Sequence, residues 1–312
     1  MNKVVIVAGP TASGKSTLAI AIAEAFNGVV INADSMQIYD ALPILTSRPS
    51  IDDENRTPHR LYGILSPLEI CSAGRWSKLV VSTCKDEWCE DRLPIIVGGT
   101  GLYLSALIKG LSPIPDIPSD IRKSTRDRFR ELGNVVFHSE LAKFDPQMAT
   151  KLHPSDSQRL IRAWDVLMAT GRSLAQWQTE LPVIPLSARF LIFVFFPQRD
   201  WLYSNCDYRL KTMIKNGVLR EVQIFLDLNL NSDLPILRAL GVEQFREHLN
   251  GKISLNDAIT ATQQATHQYI KRQITWFNNQ LVADYIIDTQ SSKSLEDVIF
   301  PNIRKFLLSG TS

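Results

Sequence analysis

Cysteine is scarce. The 312 residues hold four, Cys71, Cys84, Cys89 and Cys206, and no two form a Cys-x-x-Cys pair. A disulfide-stapled scaffold is excluded, and so is a zinc finger, because no histidine pair follows at ligand spacing. Free thiols in a reducing compartment are expected. Long apolar runs are also missing. The longest, Phe190–Phe196, has a strand's length and falls far short of the roughly 20 residues a membrane helix needs. The Met-Asn-Lys start passes directly into Val-Val-Ile-Val, too short for a signal-peptide core. A soluble cytoplasmic protein with no membrane partner is expected. Neither charge sign dominates: 34 Lys and Arg stand against 32 Asp and Glu, which excludes a bulk polycation or an acidic tail. Glycine (15) and proline (16) are too few for collagen-like or linker composition, and 45% hydrophobic content argues against disorder. No internal repeat or low-complexity tract is present. A chain of this length buries a core without staples and fits about two domains.

What is there has a rhythm. Val4–Ala8 is a continuous β-branched run, the pattern of a strand buried on both faces. A glycine loop follows, then a helical stretch Ser16–Phe26 with Leu18, Ala19, Ile22, Ala23 and Phe26 on one face. Val29–Ile31 reads as the next strand. Leu93–Val97 is another, followed by Gly98-Gly99-Thr100-Gly101 and a helix over Leu102–Ile108. Strand, glycine turn and helix in repetition predict a parallel α/β sheet. The proline-punctuated passage Leu111–Pro118 breaks this pattern, Ser119 to about Trp177 reads as helical, and Phe190–Phe196 resumes the strands. The predicted division is a core of 1–114 and 184–312 with a helical insertion of 115–183.

Charge is uneven along the chain. Between Ser119 and Arg220 lie 16 Lys and Arg against 10 Asp and Glu, so this stretch is basic within a mildly acidic remainder. Such asymmetry is compatible with a polyanion partner and equally with a solvated, salt-bridged helical surface.

Gly9-Pro10-Thr11-Ala12-Ser13-Gly14-Lys15-Ser16 satisfies the phosphate-loop pattern G-x-x-x-x-G-K-[ST], with a buried strand before it and a helix after it. Backbone N–H groups of such a loop bind a di- or triphosphate. Lys15 supplies a mobile cation, and Ser16 can hold Mg²⁺. The fold class is therefore α/β, a P-loop NTPase-like parallel sheet flanked by helices, with an α-helical insertion domain. An NTPase usually offers an Asp at the end of a later strand. Here Leu93–Val97 ends in Gly98-Gly99-Thr100, which counts against nucleotide hydrolysis. The available carboxylate is Asp34, just past the second strand. It should lie beside the phosphate loop, as general base, metal-sphere ligand or helix cap.

Six motifs occur in order: Gly9–Ser16, Asn32-Ala-Asp-Ser-Met-Gln-Ile-Tyr39, Pro58-His59, Ile96-Val-Gly-Gly-Thr-Gly-Leu-Tyr103, Gln158-Arg-Leu-Ile-Arg162 and Lys271-Arg-Gln-Ile-Thr-Trp-Phe277. Together they resemble the bacterial tRNA dimethylallyltransferase (tRNA isopentenyltransferase) family over nearly the whole chain. The resemblance implies transfer of a dimethylallyl group from dimethylallyl diphosphate to N6 of adenosine 37, 3′ of the tRNA anticodon. Mg²⁺ is the implied cofactor, with the tRNA anticodon stem-loop and dimethylallyl diphosphate as partners and a monomer as the plain expectation.

The phosphate loop would then hold the substrate's diphosphate rather than ATP, with Lys15 taking up charge on the leaving group. Asp34 matches the family's general base. Thr100 matches the threonine near the breaking C–O bond, and Arg209 resembles a family arginine at the diphosphate. The target base must leave its stack. Asp34, Ser35, Met36 and Gln37 would meet it, Gln37 through its amide. Arg122 opens a run of five cations with Lys123, Arg126, Arg128 and Arg130. These, with Gln158, Arg159, Leu160, Ile161 and Arg162, are implied tRNA contacts of an insertion read as tRNA-binding. Lys271, Arg272 and Gln273 are implied contacts at the end of the last long helix, which should begin at a Ser254–Asp257 capping box. Trp276 and Phe277 beside them suit base contact or core packing equally.

Two departures stand out. The family's Ile-Gly-Thr-Ala-Lys-Pro is Ile44-Leu45-Thr46-Ser47-Arg48-Pro49 here, and its Gly-Tyr is Gly241-Val242. Both are expected to lie away from the diphosphate site. The alternatives are an adenylate isopentenyltransferase acting on free AMP, ADP or ATP, a small-molecule P-loop kinase, and a non-catalytic RNA-binding module. Gln158–Arg162 and Lys271–Phe277 favour the tRNA type over the first, and joint retention of Lys15, Ser16, Asp34 and Thr100 argues against the last.

Overall fold

In a computed structural model, residues 2–288 and 295–310 are described. Two compact units emerge: Met1–Ile108 with Pro185–Ser312, and Lys109–Ile184. The first opens with β1 (Lys3–Ala8), α1 (Lys15–Ala25), β2 (Gly28–Asn32), α2 (Pro43–Thr46), α3 (Ile51–Arg56), β3 (His59–Arg60), α4 (Ala73–Cys89), β4 (Leu93–Gly98) and α5 (Gly101–Ile108). The second unit holds α6 (Ser119–Phe144), α7 (Pro146–Lys151), α8 (Ser157–Thr170) and α9 (Leu174–Trp177). The first unit then resumes with β5 (Arg189–Phe195), α10 (Arg199–Lys215), α11 (Val218–Asp227), α12 (Val242–Leu249), α13 (Leu255–Gln280), β6 (Tyr285–Ile287) and α14 (Leu295–Leu308).

The strands pair in the order β3-β2-β4-β1-β5-β6, all parallel. Alternation along each strand divides the core. Ile6, Ile31, Ile96 and Ile192 join one apolar cluster, and Val5, Val30, Ile95 and Phe193 join the other with α1 and α14. Burial on both faces is why these strands read as unbroken apolar runs. The parallel arrangement brings the loops after β1, β2, β3 and β4 to the same carboxyl edge of the sheet, the usual ligand edge of such folds. Trp76 of α4 holds that edge from beneath. Its indole N–H donates to the Asn32 carbonyl at 2.8 Å, and its ring stacks on Tyr103 at 4.6 Å.

The second unit has its own core, in which Phe137 meets both Phe129 and Trp164 at 5.1 Å. Helix α6 is kinked at Gly133 (φ 68°), where two helices meet. This unit runs from Lys109 to Ile184, where the sequence placed the insertion at 115–183. The earlier start follows from an antiparallel bridge. The Leu111 and Val183 backbones exchange hydrogen bonds of 3.4 and 2.9 Å, a long-range pairing that Leu111–Pro118 does not announce. Among the described residues no helix is long and apolar enough to cross a membrane.

Candidate active site

The phosphate loop leaves β1 and enters α1 through Gly14, whose φ of 89° is left-handed and suits glycine. Lys15 Nζ donates to the Pro10 carbonyl at 3.0 Å. Burial draws its ammonium down to about 8, Asp34 opposes that shift, and Arg209 adds to it. Ser13 is fully buried and its hydroxyl has no partner among the described residues. Thr11 is held at both ends. Its N–H donates to Gln273 Oε1 at 3.0 Å, and its hydroxyl accepts from Arg209 Nη2 at 2.6 Å. Arg209 thus reaches the phosphate loop from α10.

Asp34 follows β2 in a turn. Its N–H donates to Asn32 Oδ1 at 2.7 Å, and its Oδ1 accepts from the Met36 N–H at 2.8 Å, an Asx turn. Its Oδ2 accepts no hydrogen bond among the described residues. Thr100 sits at the end of β4. Its hydroxyl accepts from the Ser35 N–H at 2.9 Å and donates to the Ser35 hydroxyl at 3.3 Å.

Two cavities meet at this edge. One, of about 220 Å³, is polar and lined by Thr11–Thr17, Asp34, Gln37, Thr46, Ser47, Tyr62, Val97, Gly98 and Arg209. The other, of about 280 Å³, has Leu45, Leu210, Met213, Ala239 and Leu240 in its walls, with Tyr269 and Arg272. Thr11, Asp34, Thr46, Ser47 and Arg209 line both. A polar chamber built from backbone N–H groups and cations suits a diphosphate. An adjoining apolar chamber suits a hydrocarbon group attached to it. Among the described residues no group of three or more His, Cys, Asp or Glu is placed to hold a metal. An ion here would depend on the Ser16 hydroxyl together with ligand oxygens, which fits a hard cation of the Mg²⁺ type.

Several sequence expectations change. Gln273, expected at an RNA-facing helix end, is 5% exposed, and its amide joins the Thr11 N–H to the Gly99 carbonyl, the second bond at 2.9 Å. It braces the phosphate loop. Leu160 is fully buried in the core of the second unit, because a contiguous run on a helix must turn one residue inward. The Gln37 amide nitrogen is committed to the Thr46 and Ser47 carbonyls at 2.8 and 2.9 Å, so its N–H groups are not free for a base edge. One of the two departures from the family pattern does touch the site, while Val242 lines neither cavity. Leu45, Thr46 and Ser47 line its cavities, and Leu45 packs where a side chain on Gly241 would otherwise fall, 2.8 Å from that Cβ position. Arg48 faces inward and donates to the Tyr39 and Asp40 carbonyls.

The remaining candidates range from exposed to buried. Lys271 and Arg272 are exposed, and Arg272 lies 5.7 Å from the Tyr269 ring. Trp276 packs over bare Gly101 while Phe277 is buried. In the second unit Gln158, Arg159 and Arg162 are exposed and Arg122 and Ile161 half-buried. Arg159 pairs with Asp156 at 3.0 Å, Arg128 with Glu140 and Arg130 with Asp127. Tyr62, Tyr269 and Arg238 line the cavities without having stood out in the sequence. Each is an isolated residue outside any phosphate-loop spacing, so only the fold could bring them in.

A sequence profile described as IPP transferase matches residues 37–280. The tRNA dimethylallyltransferase of Paramagnetospirillum magneticum is 50% identical over 305 residues, covering 98% of this chain and 97% of that protein. A solved tRNA Δ(2)-isopentenylpyrophosphate transferase from Staphylococcus epidermidis superposes with a TM-score of 0.70 at 30% identity, covering 98% of this chain and 100% of that one. A eukaryotic dimethylallyltransferase, solved acting on tRNA, gives a TM-score of 0.84 at 27% identity, covering 98% and 80%.

Proposed function

The chain belongs to the IPP transferase family, and from that premise we propose that it transfers the dimethylallyl group of dimethylallyl diphosphate to N6 of adenosine 37 in tRNA, releasing diphosphate. The observation that carries the reading is Asp34, which lines the polar phosphate-loop cavity and the apolar one together. A diphosphate in the first chamber and its hydrocarbon in the second put the reacting carbon beside that carboxylate.

In this reading N6 forms a bond to C1 of the dimethylallyl group as the C1–O bond breaks. The bonding electrons leave with diphosphate, and the N6 proton passes to Asp34, whose Oδ2 is open to receive it. The N–H groups of Gly9–Ser16, together with Lys15 and Arg209, take up the charge developing on the leaving group. Thr100 can turn its hydroxyl from Ser35, a long 3.3 Å contact, to the oxygen of the breaking bond. Mg²⁺ would be held by Ser16 and diphosphate oxygens, and when bound it supplies positive charge to the leaving group. Ser35 and Met36 would line the path of the extruded base. Arg122, Gln158, Arg159, Ile161 and Arg162 of the second unit, and Lys271 and Arg272 of the first, would contact RNA, with the cations on its phosphates. A tRNA substrate assigns this activity to the cytoplasm, with a monomer as the acting unit.

The test is transfer from radiolabelled dimethylallyl diphosphate with Mg²⁺, offering an unmodified anticodon stem-loop and free AMP in parallel. Label in the RNA, lost in Asp34→Ala, is expected. Label in AMP alone would make the protein an adenylate-type enzyme, and label in neither would sink prenyl transfer.

A further inference from the structure

We propose that the Tyr62 hydroxyl donates a hydrogen bond to the bound diphosphate, making Tyr62 a ligand of the polar chamber from outside the phosphate loop. This deepens the reading above and rests on it.

The turn that carries Tyr62 is forced. Tyr62 follows the two-residue strand β3 and lies between Leu61 (φ 63°) and Gly63 (φ 59°), both left-handed. Left-handed backbone is unfavourable for leucine and persists where its surroundings over-determine it, often at a functional site. Here they do. The Asn32 side-chain amide, fully buried, donates to the Leu61 carbonyl at 3.0 Å. The Gly63 N–H donates to the Gln37 carbonyl at 2.9 Å. A Cβ on Gly63 would strike the Arg48 guanidinium at 2.4 Å. The Tyr62 ring is steadied by the His59 ring, with centroids 5.6 Å apart. Two residues adjoining the diphosphate loops, Asn32 and Gln37, therefore hold the turn that brings Tyr62 into the chamber wall beside Lys15, Ser16 and Asp34.

The hydroxyl itself is uncommitted. It makes no hydrogen bond among the described residues, although Tyr62 lines a chamber full of groups suited to an anion. Burial, and then the Asp34 carboxylate, push its ionisation upward, so the phenol keeps its proton at working pH. One oxygen of Asp34 is already taken by the Met36 N–H. The chemistry also explains why a phenol rather than another cation stands there. A neutral donor binds a diphosphate oxygen without putting positive charge beside the carboxylate that must accept a proton.

The experiment is calorimetric titration of inorganic diphosphate, with Mg²⁺ and without RNA, into the full-length protein and its Tyr62→Phe variant. The phenylalanine ring keeps the packing, so an unchanged melting temperature is expected. Diphosphate should bind about tenfold more weakly, as for one lost bond to a charged acceptor. The KM for dimethylallyl diphosphate should rise in step, with the KM for RNA unchanged. Binding within twofold of the wild type would overturn the proposal. A shifted acidic limb of the pH–rate profile with unaltered diphosphate binding would also overturn it, because the phenol would then serve Asp34. If the wild type binds diphosphate but prenylates no RNA, the transfer reading fails while the titration still decides the role of Tyr62.

Discussion

The loop Gly9–Ser16 and the helical run Gln158–Arg162 are each a contiguous signature, yet the fold distributes them differently. In the loop every residue from Thr11 to Ser16 reaches the wall of one chamber. In α8 the run winds around the helix: Leu160 is buried, Arg159 turns to Asp156, and Arg162 comes within electrostatic reach of Arg122 and Asp165. The difference lies in what does the binding. A phosphate loop works through backbone N–H groups, so consecutive residues can all converge. A helix spends its backbone on itself and offers only side chains, about 100° apart. A helical signature therefore mixes surface with core, and its residues need to be tested one by one.

The sharpest way to break this contrast is at Asp34. Asp34→Asn should lower the transfer rate by about 10²–10⁴-fold with little change in melting temperature, as single-turnover kinetics would record. If the rate held, the loop side of the comparison would lose its chemistry. Next in size is Leu160→Ala. It should destabilise the second unit by about 2–5 kcal/mol in denaturant unfolding, the range for a buried leucine. A stability loss below that range, with RNA binding abolished, would restore Leu160 as a contact. Gln273→Ala is third. Losing the strap between Thr11 and Gly99 should lower stability by about 1–3 kcal/mol and weaken diphosphate binding, leaving affinity for uncharged RNA analogues intact. The fourth effect is one of pH. Lys15 titrates at about 8 in the ligand-free protein. Its charge is present below that pH and lost above it, so diphosphate affinity should fall as pH rises through about 8, up to tenfold per unit, with proton uptake on binding. The smallest effect is expected from Arg159→Ala. Because the guanidinium is exposed and already paired, RNA affinity should drop only a few-fold, with a shallower salt dependence in filter binding.

Much of this was legible in the sequence where one local cause decides the outcome. Val4–Ala8 and Leu93–Val97 are strands because both faces of a parallel sheet are apolar, and Ser254 with Asp257 forms the capping box expected of α13. Less was legible where the cause is tertiary. His59–Arg60 is a strand because it pairs with Val30 and Ile31, and two polar residues carry no periodicity. Tyr285–Ile287 is equally short. Helix α4 does carry a local signal, a Ser72 cap followed by Trp76, Val80 and Cys84 at intervals of four. Asp34, Lys15 and Arg209 line the polar cavity and Thr100 lies against Ser35; all four were singled out from motifs. Tyr62 and the strap role of Gln273 were not, since each depends on a partner far away in the chain.

The strand order has a consequence for how the protein is made. Central β1 pairs with β4 on one side and β5 on the other, with Lys3 opposite Arg189. The whole of Lys109–Ile184 is synthesised between those two neighbours. At typical translation rates one edge of β1 stays bare for on the order of ten seconds after β4 appears. The inserted helices, whose contacts are more local, can fold during that wait. Ribosome-bound chains arrested at a length where Ile184 has left the exit tunnel and Arg189–Phe195 has not should thus resist protease in the inserted unit while β1 is still cut. The insertion acts as a built-in delay, and crowding or chaperone shortage during that interval would show first as aggregation through an incomplete sheet.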